Sequence, residues 1–336
     1  MLKMQPYFAL FLVLHVVGRA EEPVPRTGLA VVVGSHDGAV ELELLKRSSM
    51  VLGFASDIVQ RDAARETLFE AGVYGRASVR VSIASRLPLV DGVVNHLVLL
   101  PAGDLDDAEI MRVLAPGGRC TGKRQLTKPV SDEFDVWTHL LHDAGGTRAS
   151  TDRRVGAARY IHWVAGPPYA VRPRLVSHGR LVALEFEAPR SAETKTVYVR
   201  DAANGMLLWQ RPLRFPRPAK TPRWGWGETK FQDETNYLAA SGRVLYAVEQ
   251  YGDDVAGLTW YDLETGKRLG EFALPSIYQV LPVGELVVAA TTEQIVAIAV
   301  GDEHARHVWR VVARPLDVRI ADGRVHVLDR TVTPYR

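Results

Sequence analysis

The chain has 336 residues and a formal net charge of +2, from 41 lysine and arginine and 39 aspartate and glutamate side chains. This near balance argues against nucleic acid as the main partner, because nucleic-acid binding needs clustered positive charge. Hydrophobic residues make up 47% and charged residues 24%, as in folded, water-soluble proteins. The length predicts about two domains. The single cysteine, Cys120, excludes an intramolecular disulfide and a multi-cysteine metal site.

Residues 1–20 have the three parts of a secretory signal peptide. Lys3 supplies the positive charge, an apolar run extends from Tyr7 to Val17, and the small residues Gly18 and Ala20 follow. The run is shorter than the roughly 20 residues that a membrane-spanning helix needs. We predict cleavage after Ala20 and an exported protein, in the periplasm or cell envelope, without a transmembrane domain. The alternatives are an uncleaved membrane tether and a buried apolar helix.

Residues 27–123 predict alternating strands and helices, and therefore an α/β domain of the Rossmann type. Short, continuous apolar runs are typical of strands that are buried on both faces of a parallel sheet. Asp57 is a predicted helix N-cap and Gly72 a predicted helix end. The predicted strands are Leu29–Val33, Met50–Phe54, Ser78–Ile83 and Val93–Leu100, and the predicted helices begin near Glu41, Asp57 and Leu105.

Three stretches of this region resemble class I S-adenosylmethionine (SAM)-dependent methyltransferases. They are VVVGSHDGAV at the first glycine turn, RLPLVDGVVNHLVL up to the fourth strand, and AEIMRVLAPGGRC before the fifth. The resemblance implies a glycine turn that approaches the cofactor and an acid that binds the ribose hydroxyls. It places Gly34, Gly38, Asp57 and Asp91 near the cofactor.

The sequence departs from the family pattern at this site. His36 replaces the middle glycine of the turn, and the expected ribose acid falls on Ala55, two residues before Asp57. The region also ends near residue 125, before the remaining elements of a full methyltransferase. We therefore expect a degenerate domain that binds no SAM, in which Gly34 and Gly38 form a strand-to-helix turn. The alternative is a functional SAM-dependent methyltransferase.

Beyond Ser131, short β-rich segments with glycine turns replace the helical periodicity. Three stretches share a scheme of strand, connection, strand, polar turn and strand. The turns DAANG, Asp201–Gly205, and DLETG, Asp262–Gly266, match most closely, with Asp opening the turn and Gly closing it. Trp209 and Trp309 hold comparable places in the first and third stretches. The three stretches begin at Arg180, Arg243 and Glu285.

Repeats of this length must stack to bury both faces, which predicts propeller blades. The region resembles the pyrroloquinoline quinone (PQQ)-like β-propeller family, and WTHLLHDAGGTRAS, from Trp137, resembles its opening segment. We predict a linker at 124–135 and an incomplete propeller of about three to four blades at 136–336. The order of signal peptide, truncated methyltransferase-like domain and PQQ-like propeller is similar to that of exported proteins of planctomycete-type bacteria. We expect a fragment of a longer protein, the alternative being open edges that another chain covers.

One insert is the candidate binding site of the β-rich region. Trp224, Trp226, Arg223 and Lys230 combine aromatic contact area with positive charge on a loop, which is typical of ligand or partner binding. The alternative is that both tryptophans seal a groove between blades.

A second polar group lies near the start of the β-rich region. His139, His142 and Asp143 would suit a metal if they lay on a helix. The repeats of short strands predict that this segment is extended. In an extended segment the two histidines point to opposite faces, so we predict no metal site. Cys120 is predicted to be buried in a strand.

These patterns predict an exported scaffold that binds a protein or a cell-envelope polymer through its β-propeller surface. We expect no catalytic residues, no metal, no cofactor and no nucleic-acid partner. The alternatives are a SAM-dependent methyltransferase and a PQQ-dependent oxidoreductase.

Overall fold

The computed structural model describes residues 27–82, 85–154, 161–165, 170–185, 194–216, 237–251, 255–301 and 305–329. The predicted signal peptide and the candidate residues Trp224, Trp226, Arg223 and Lys230 lie outside these ranges. Within them, none of the helices has the length and hydropathy that a membrane span requires.

The amino-terminal part is an α/β domain with a six-stranded sheet. Its elements are β1 (Thr27–Val33), α1 (Ala39–Leu45), β2 (Ser48–Ala55), α2 (Ile58–Glu70), β3 (Ala77–Val81), β4 (Val94–Leu99), α3 (Asp107–Val113), β5 (Leu114–Gly122) and β6 (Leu126–Thr127). The strand order is β3-β2-β1-β4-β5-β6. The strands from β1 to β5 are parallel, and β6 is antiparallel to β5. This order is Rossmann-like, as predicted, and the chain reverses direction across the sheet between β1 and β4.

The central strand β1 is buried on both faces, as its continuous apolar run predicts. Ala30 and Val32 pack on the α1 and α2 side, whereas Val31 packs into the cluster that contains Ile110 of α3. A fully buried valine contributes about 1.5–3 kcal/mol relative to an exposed one. Cys120 is buried in β5, which confirms that prediction.

The carboxyl-terminal limit of the domain differs from the predicted one at residue 123. β6 pairs with β5 and carries the sheet to Thr127. The predicted turn APGGR lies inside β5, where Gly117 has a φ of 75° and the pairing with β4 shifts register. The backbone freedom of glycine lets an irregular strand form where a turn is expected from sequence.

The rest of the chain is β-rich and contains three four-stranded antiparallel sheets and a hairpin within the described ranges. Each four-stranded sheet runs back and forth in chain order. The strands of the first sheet are β7 (Ala170–Ser177), β8 (Arg180–Glu185), β9 (Thr194–Asp201) and β10 (Leu207–Arg214). Those of the second are β11 (Leu238–Ser241), β12 (Val244–Tyr251), β13 (Val255–Asp262) and β14 (Arg268–Ala273). Those of the third are β15 (Ile277–Val283), β16 (Leu286–Thr291), β17 (Gln294–Val300) and β18 (Ala305–Val312), and the hairpin is β19 (Pro315–Ala321) and β20 (Arg324–Asp329).

Each four-stranded sheet has one strand more than the sequence scheme predicts. The stretches that begin at Arg180, Arg243 and Glu285 supply the second to fourth strands, and β7, β11 and β15 precede them. β11 contacts β7 and β15, and β15 contacts β19. The first strands of successive sheets therefore lie against each other. That the sheets are blades around one axis stays a prediction.

The two predicted polar turns, Asp201–Gly205 and Asp262–Gly266, are both present in the structure. Asp201 and Asp262 accept hydrogen bonds from backbone N–H groups inside their turns at 2.9 and 2.7 Å. Gly205 and Gly266 close the turns with φ of 71° and 70°, values that glycine adopts without strain. The first turn also touches the α/β domain, because Asn204 and Asp201 bond with Asn95 of β4.

Candidate functional site

The carboxyl ends of β1 and β4 mark the place where open α/β sheets bind ligands. β1 pairs with β2 on one side and with β4 on the other, so the strand order reverses there. The glycine turn follows β1 directly and includes Gly34 and Gly38, two of the four residues that the methyltransferase resemblance places near a cofactor.

The turn is held tightly against its neighbours. The N–H groups of Gly34 and Ser35 donate to the carbonyl of Phe54 in β2 at 2.9 and 3.0 Å. Gly34 has a φ of 87°, and a Cβ there would lie 2.6 Å from the backbone nitrogen of Gly103 in the loop after β4. At Gly38, with a φ of 83°, a Cβ would lie 2.8 Å from the carbonyl oxygen of Ala64. Both glycines are therefore required by contacts within the domain.

The side chains that replace the family pattern in the turn lie at the surface. His36 is about half exposed, and its Nε2 is 3.3 Å from the Asp37 carboxylate. The Asp37 carboxylate also accepts a hydrogen bond from the N–H of Ala39 at 3.0 Å, at the start of α1. The imidazole therefore points toward solvent and does not fill the domain interior.

An acid at the end of β2, which would bind ribose, is missing. Ala55 occupies that position and is fully buried. Asp57 accepts a hydrogen bond from the N–H of Gln60 at 2.9 Å and so caps α2. Because its carboxylate satisfies this free N–H of the first helical turn, Asp57 has a structural role in the fold.

Asp91 does not lie with the other candidate residues. It precedes β4, at the amino edge of the sheet, whereas Gly34 follows β1 at the carboxyl edge. Its carboxylate pairs with Arg112 at 2.6 Å. The Arg112 guanidinium also pairs with Glu109 at 2.7 Å and donates to the carbonyl of Leu87 at 3.0 Å. Asp91 is therefore part of an ion-pair network around α3.

Glu41 is a buried acid that the sequence analysis did not single out. It lies in the first turn of α1, is 1% exposed, and its Oε1 has no hydrogen-bond partner within the described ranges. The carboxyl group occupies the space where a side chain of Gly53 in β2 would point, close to the buried hydroxyl of Ser35. Burial raises the pKa of Glu41 above its ordinary value. The stretch AVELELL contains two glutamates, and its pattern does not tell which one is buried.

A second polar cluster lies in the segment before the first β-sheet. The Asp135 carboxylate lies 2.7 Å from His142 Nε2 and accepts from Ser150 Oγ and Thr151 N at 2.8 Å each. His142 Nδ1 lies 2.8 Å from Thr147 Oγ1. Burial disfavours the charge on Asp135, but these hydrogen bonds outweigh it and hold the pKa of Asp135 well below its ordinary value. These hydrogen bonds hold Asp135 next to Ser150 and Thr151, which lie 15 and 16 residues further along the chain.

The segment around His139 and His142 differs from the predicted extended one. Residues 139–142 form a tight turn in which the two histidines pair through their backbones. His142 has a φ of 84°, in the left-handed region that few residues other than glycine adopt. No group of three histidine, cysteine, aspartate or glutamate side chains in the described parts of the chain is placed to hold a metal ion.

His139 is buried beside a small cavity between the first strands of the sheets. Its Nδ1 lies 2.8 Å from Thr138 Oγ1, and its Nε2 has no hydrogen-bond partner among the described residues. The cavity has room for about one water molecule, about 10 Å³, and Asp143, Gln279 and Arg319 also line it. Burial lowers the pKa of His139 to about 4, so the imidazole is neutral at pH 7.

Solved structures that are similar to the α/β part include methyltransferases. Geranyl diphosphate C-methyltransferase from Streptomyces coelicolor A3(2), in a complex with S-adenosyl-L-homocysteine, is 21% identical with a TM-score of 0.27, over 30% of this chain and 40% of that chain. A putative SAM-dependent methyltransferase from Methanococcus maripaludis is 20% identical with a TM-score of 0.26, over 29% and 48%. The [4+2]-cyclase SpnF is 23% identical with a TM-score of 0.26, over 35% and 46%.

The chain spans less than half the length of these structures. Their TM-scores are too low to support a function, so the Rossmann-like description of the domain rests on its strand order. No protein-family model matches the chain, and no curated protein matches it.

Proposed function

We propose that the protein is an exported, non-catalytic scaffold that binds a protein or a cell-envelope polymer through its β-sheets. In this proposal the α/β domain has lost its cofactor and serves as a rigid support for the first sheet. The observation that carries the proposal is the end of β2, where Ala55 replaces the ribose-binding acid and Asp57 caps α2.

The crevice at the reversal point supports the same conclusion. The backbones of Gly34 and Gly103 are in contact there, so the loops after β1 and β4 meet where a ligand would enter. The residues present therefore do not fit SAM: an acid for the ribose is absent and the loops are closed against each other. The contacts of Asn204 and Asp201 with Asn95 give the domain a structural role that needs no ligand.

A SAM-dependent methyltransferase is the second candidate function. It is favoured by the retained glycine turn, in which Gly34 and Gly38 keep positive φ angles of 87° and 83° at the reversal point of the sheet. In that case the loop after β4 would have to move away from Gly34 before a cofactor could bind.

Isothermal titration calorimetry of the full chain with SAM, and separately with S-adenosylhomocysteine, tests the proposal. We expect no saturable heat up to about 1 mM of either ligand, which corresponds to less than about 4 kcal/mol of binding free energy. Micromolar binding of both ligands would contradict it. Gly34→Val is a poor control, because its Cβ would clash with Gly103.

His36→Gly is a better control, because it restores the missing glycine at an exposed position. We expect this variant to bind no SAM either, since the ribose position and the closed loops are unchanged. If His36→Gly bound SAM and the wild type did not, the imidazole alone would block the cofactor site. The rest of the site would then be intact, which would contradict the proposal.

A further inference from the structure

A cleft of about 470 Å³ lies between the second and third four-stranded sheets. Tyr246 of β12 forms one side of it. The other side is the end of the third sheet where β15 turns into β16 and where β17 ends at Ala299 and Val300. Pockets that bind small molecules have volumes of about 300–1,000 Å³, so the cleft is large enough for one. Its lining residues fall between positions 246 and 306, so neither end of the chain bounds it.

Tyr246 places a buried hydroxyl group at the wall of this cleft. The residue is 7% exposed, and its hydroxyl has no hydrogen-bond partner within the described ranges. Its cross-strand neighbour Trp260 is 1% exposed, and the indole nitrogen also has no partner in that part of the chain. Buried polar groups are nearly always paired, because an unpaired one has lost its hydrogen bonds with water. An unpaired hydroxyl at a cleft wall therefore points to a ligand.

Two side chains of opposite charge flank the cleft. Glu285 lies in the turn between β15 and β16, and Arg306 lies at the start of β18. Both are exposed, and neither side chain forms an ion pair with another described residue. A molecule that carries both a positive and a negative group can pair with each of them, whereas a molecule with a single charge is repelled by one of the two. The charges therefore favour a zwitterion.

The apolar wall of the cleft corresponds to a place that an indole ring occupies one junction earlier. There, the indole nitrogen of Trp209 donates to the carbonyl of Leu263 at 3.0 Å. Strand pairing makes Val300 the counterpart of Leu263 in the next sheet, and Gly270 the counterpart of Trp209. Trp260 lies across Gly270, but its unpaired nitrogen does not make the bond that Trp209 makes. The cleft therefore has room for a planar ring beside Val300.

We propose that this cleft binds a free aromatic α-amino acid. The ring lies against Ala299 and Val300, and the Tyr246 hydroxyl bonds with its polar atom, which is the N–H group in tryptophan. The carboxylate of the ligand pairs with Arg306, and its ammonium group pairs with Glu285. The site is separate from the crevice of the α/β domain, so it goes beyond the scaffold function and stands whether or not that domain binds SAM.

Isothermal titration calorimetry of the full chain with L-tryptophan, at about pH 6.5, tests the proposal. We expect saturable binding with a Kd below about 1 mM. Tryptophanamide lacks the carboxylate and keeps a charged amino group at this pH, and N-acetyl-L-tryptophan lacks the ammonium group. Each should bind about tenfold more weakly than L-tryptophan, because one charge pair is lost. L-Alanine, which has no ring, should give no saturable heat.

Matched substitutions assign each charged group of the ligand to its partner. Arg306→Gln should weaken the binding of L-tryptophan about tenfold and leave that of tryptophanamide unchanged. Glu285→Gln should weaken the binding of L-tryptophan in the same way and leave that of N-acetyl-L-tryptophan unchanged. Tyr246→Phe, which removes only the hydroxyl, should weaken all three ligands. Arg310→Gln, at an exposed position further along β18, is the control and should bind like the wild type.

Three results overturn the proposal. The first is the absence of saturable binding up to about 10 mM L-tryptophan. The second is an equal loss of L-tryptophan and tryptophanamide binding in Arg306→Gln, because a general disturbance of the fold weakens every ligand alike. The third is binding of indole as tight as that of L-tryptophan, which would mean that the two charges do not contribute. A loss in Arg310→Gln as large as that in Arg306→Gln would place the ligand elsewhere and also overturn the assignment.

Discussion

The side chains of Asn95 and Asn204 meet across the boundary between the α/β domain and the first β-sheet. Asn204 Nδ2 donates to Asn95 Oδ1 at 2.7 Å and to the carbonyl of Val93 at 2.8 Å. Asn95 Oδ1 also accepts from the N–H of Leu29, and Asn95 Nδ2 donates to the Asp201 carboxylate at 2.8 Å. Asn95 therefore bonds on both sides of the boundary, and Asn204 bonds across it to the α/β domain.

A double-mutant cycle with Asn95→Ala and Asn204→Ala should show that this contact stabilises the protein. We expect each single variant to lose about 1–3 kcal/mol of unfolding free energy, because buried partners are left without hydrogen bonds. The double variant should lose less than the sum, with a coupling energy of about 0.5–3 kcal/mol. Urea unfolding measures all four states. Additive losses would mean that the two side chains stabilise the protein independently.

The buried acid Glu41 should make the protein less stable as the pH rises. Its folded-state pKa is raised by burial, so the unfolded chain releases this proton at a lower pH than the folded chain does. Its stabilising contribution is complete below the ordinary pKa and is lost as the pH rises through the folded-state pKa. Glu41→Gln should therefore gain stability relative to the wild type as the pH rises above the ordinary pKa of 4.5, as measured by urea unfolding at each pH.

Glu43→Gln is the matched control on the same helix. Glu43 is exposed, and its hydrogen bond with Lys46 lowers its pKa. Its contribution is present above the ordinary pKa and is lost as the pH falls, so this variant should change in the opposite direction. If both variants showed the same pH dependence, the burial of Glu41 could not be its cause.

The α/β domain could be predicted from sequence because its signals are local. A short, continuous apolar run such as that of β1 predicts a strand that is buried on both faces of a sheet, and β1 is such a strand. The turn Asp262–Gly266 could be predicted because its aspartate and glycine act within five residues. β11 was missed because four residues, Leu238–Ser241, carry too short a pattern to be distinguished from a loop.

Features of the site that depend on distant parts of the chain could not be predicted. The bond between Asn95 and Asn204 joins residues 109 positions apart. The closure of the glycine turn depends on Gly103, which lies in a loop after another strand. In both cases the relevant partner is set by how elements pack, which leaves no periodic signal in the sequence.

Acid should destabilise the protein through His139. Burial lowers its folded-state pKa from 6.5 to about 4, and Arg319 adds to this while Asp143 opposes it. The unfolded chain therefore takes up a proton that the folded chain refuses. The contribution of His139 to stability is complete above about pH 6.5 and is lost as the pH falls toward about 4, by about 3 kcal/mol.

His139→Gln should remove this part of the pH dependence. Between about pH 7 and about pH 4, its unfolding free energy should fall less steeply than that of the wild type. His178→Gln, at a histidine that is about half exposed, serves as the control. A wild-type slope in His139→Gln would mean that this imidazole is protonated in the folded protein.

Two glycines with the same backbone angle separate backbone strain from the contact with the indole. Gly266 has a φ of 70° and lies against Trp209, whereas Gly179 has a φ of 68° with open space where a side chain would point. An alanine at either position costs about 1–2 kcal/mol of backbone strain. Gly266→Ala must also displace the ring, since its Cβ would lie 2.7 Å from the indole. It should therefore lose about 1–3 kcal/mol more than Gly179→Ala in urea unfolding. Equal losses would show that the turn does not hold Trp209 in place.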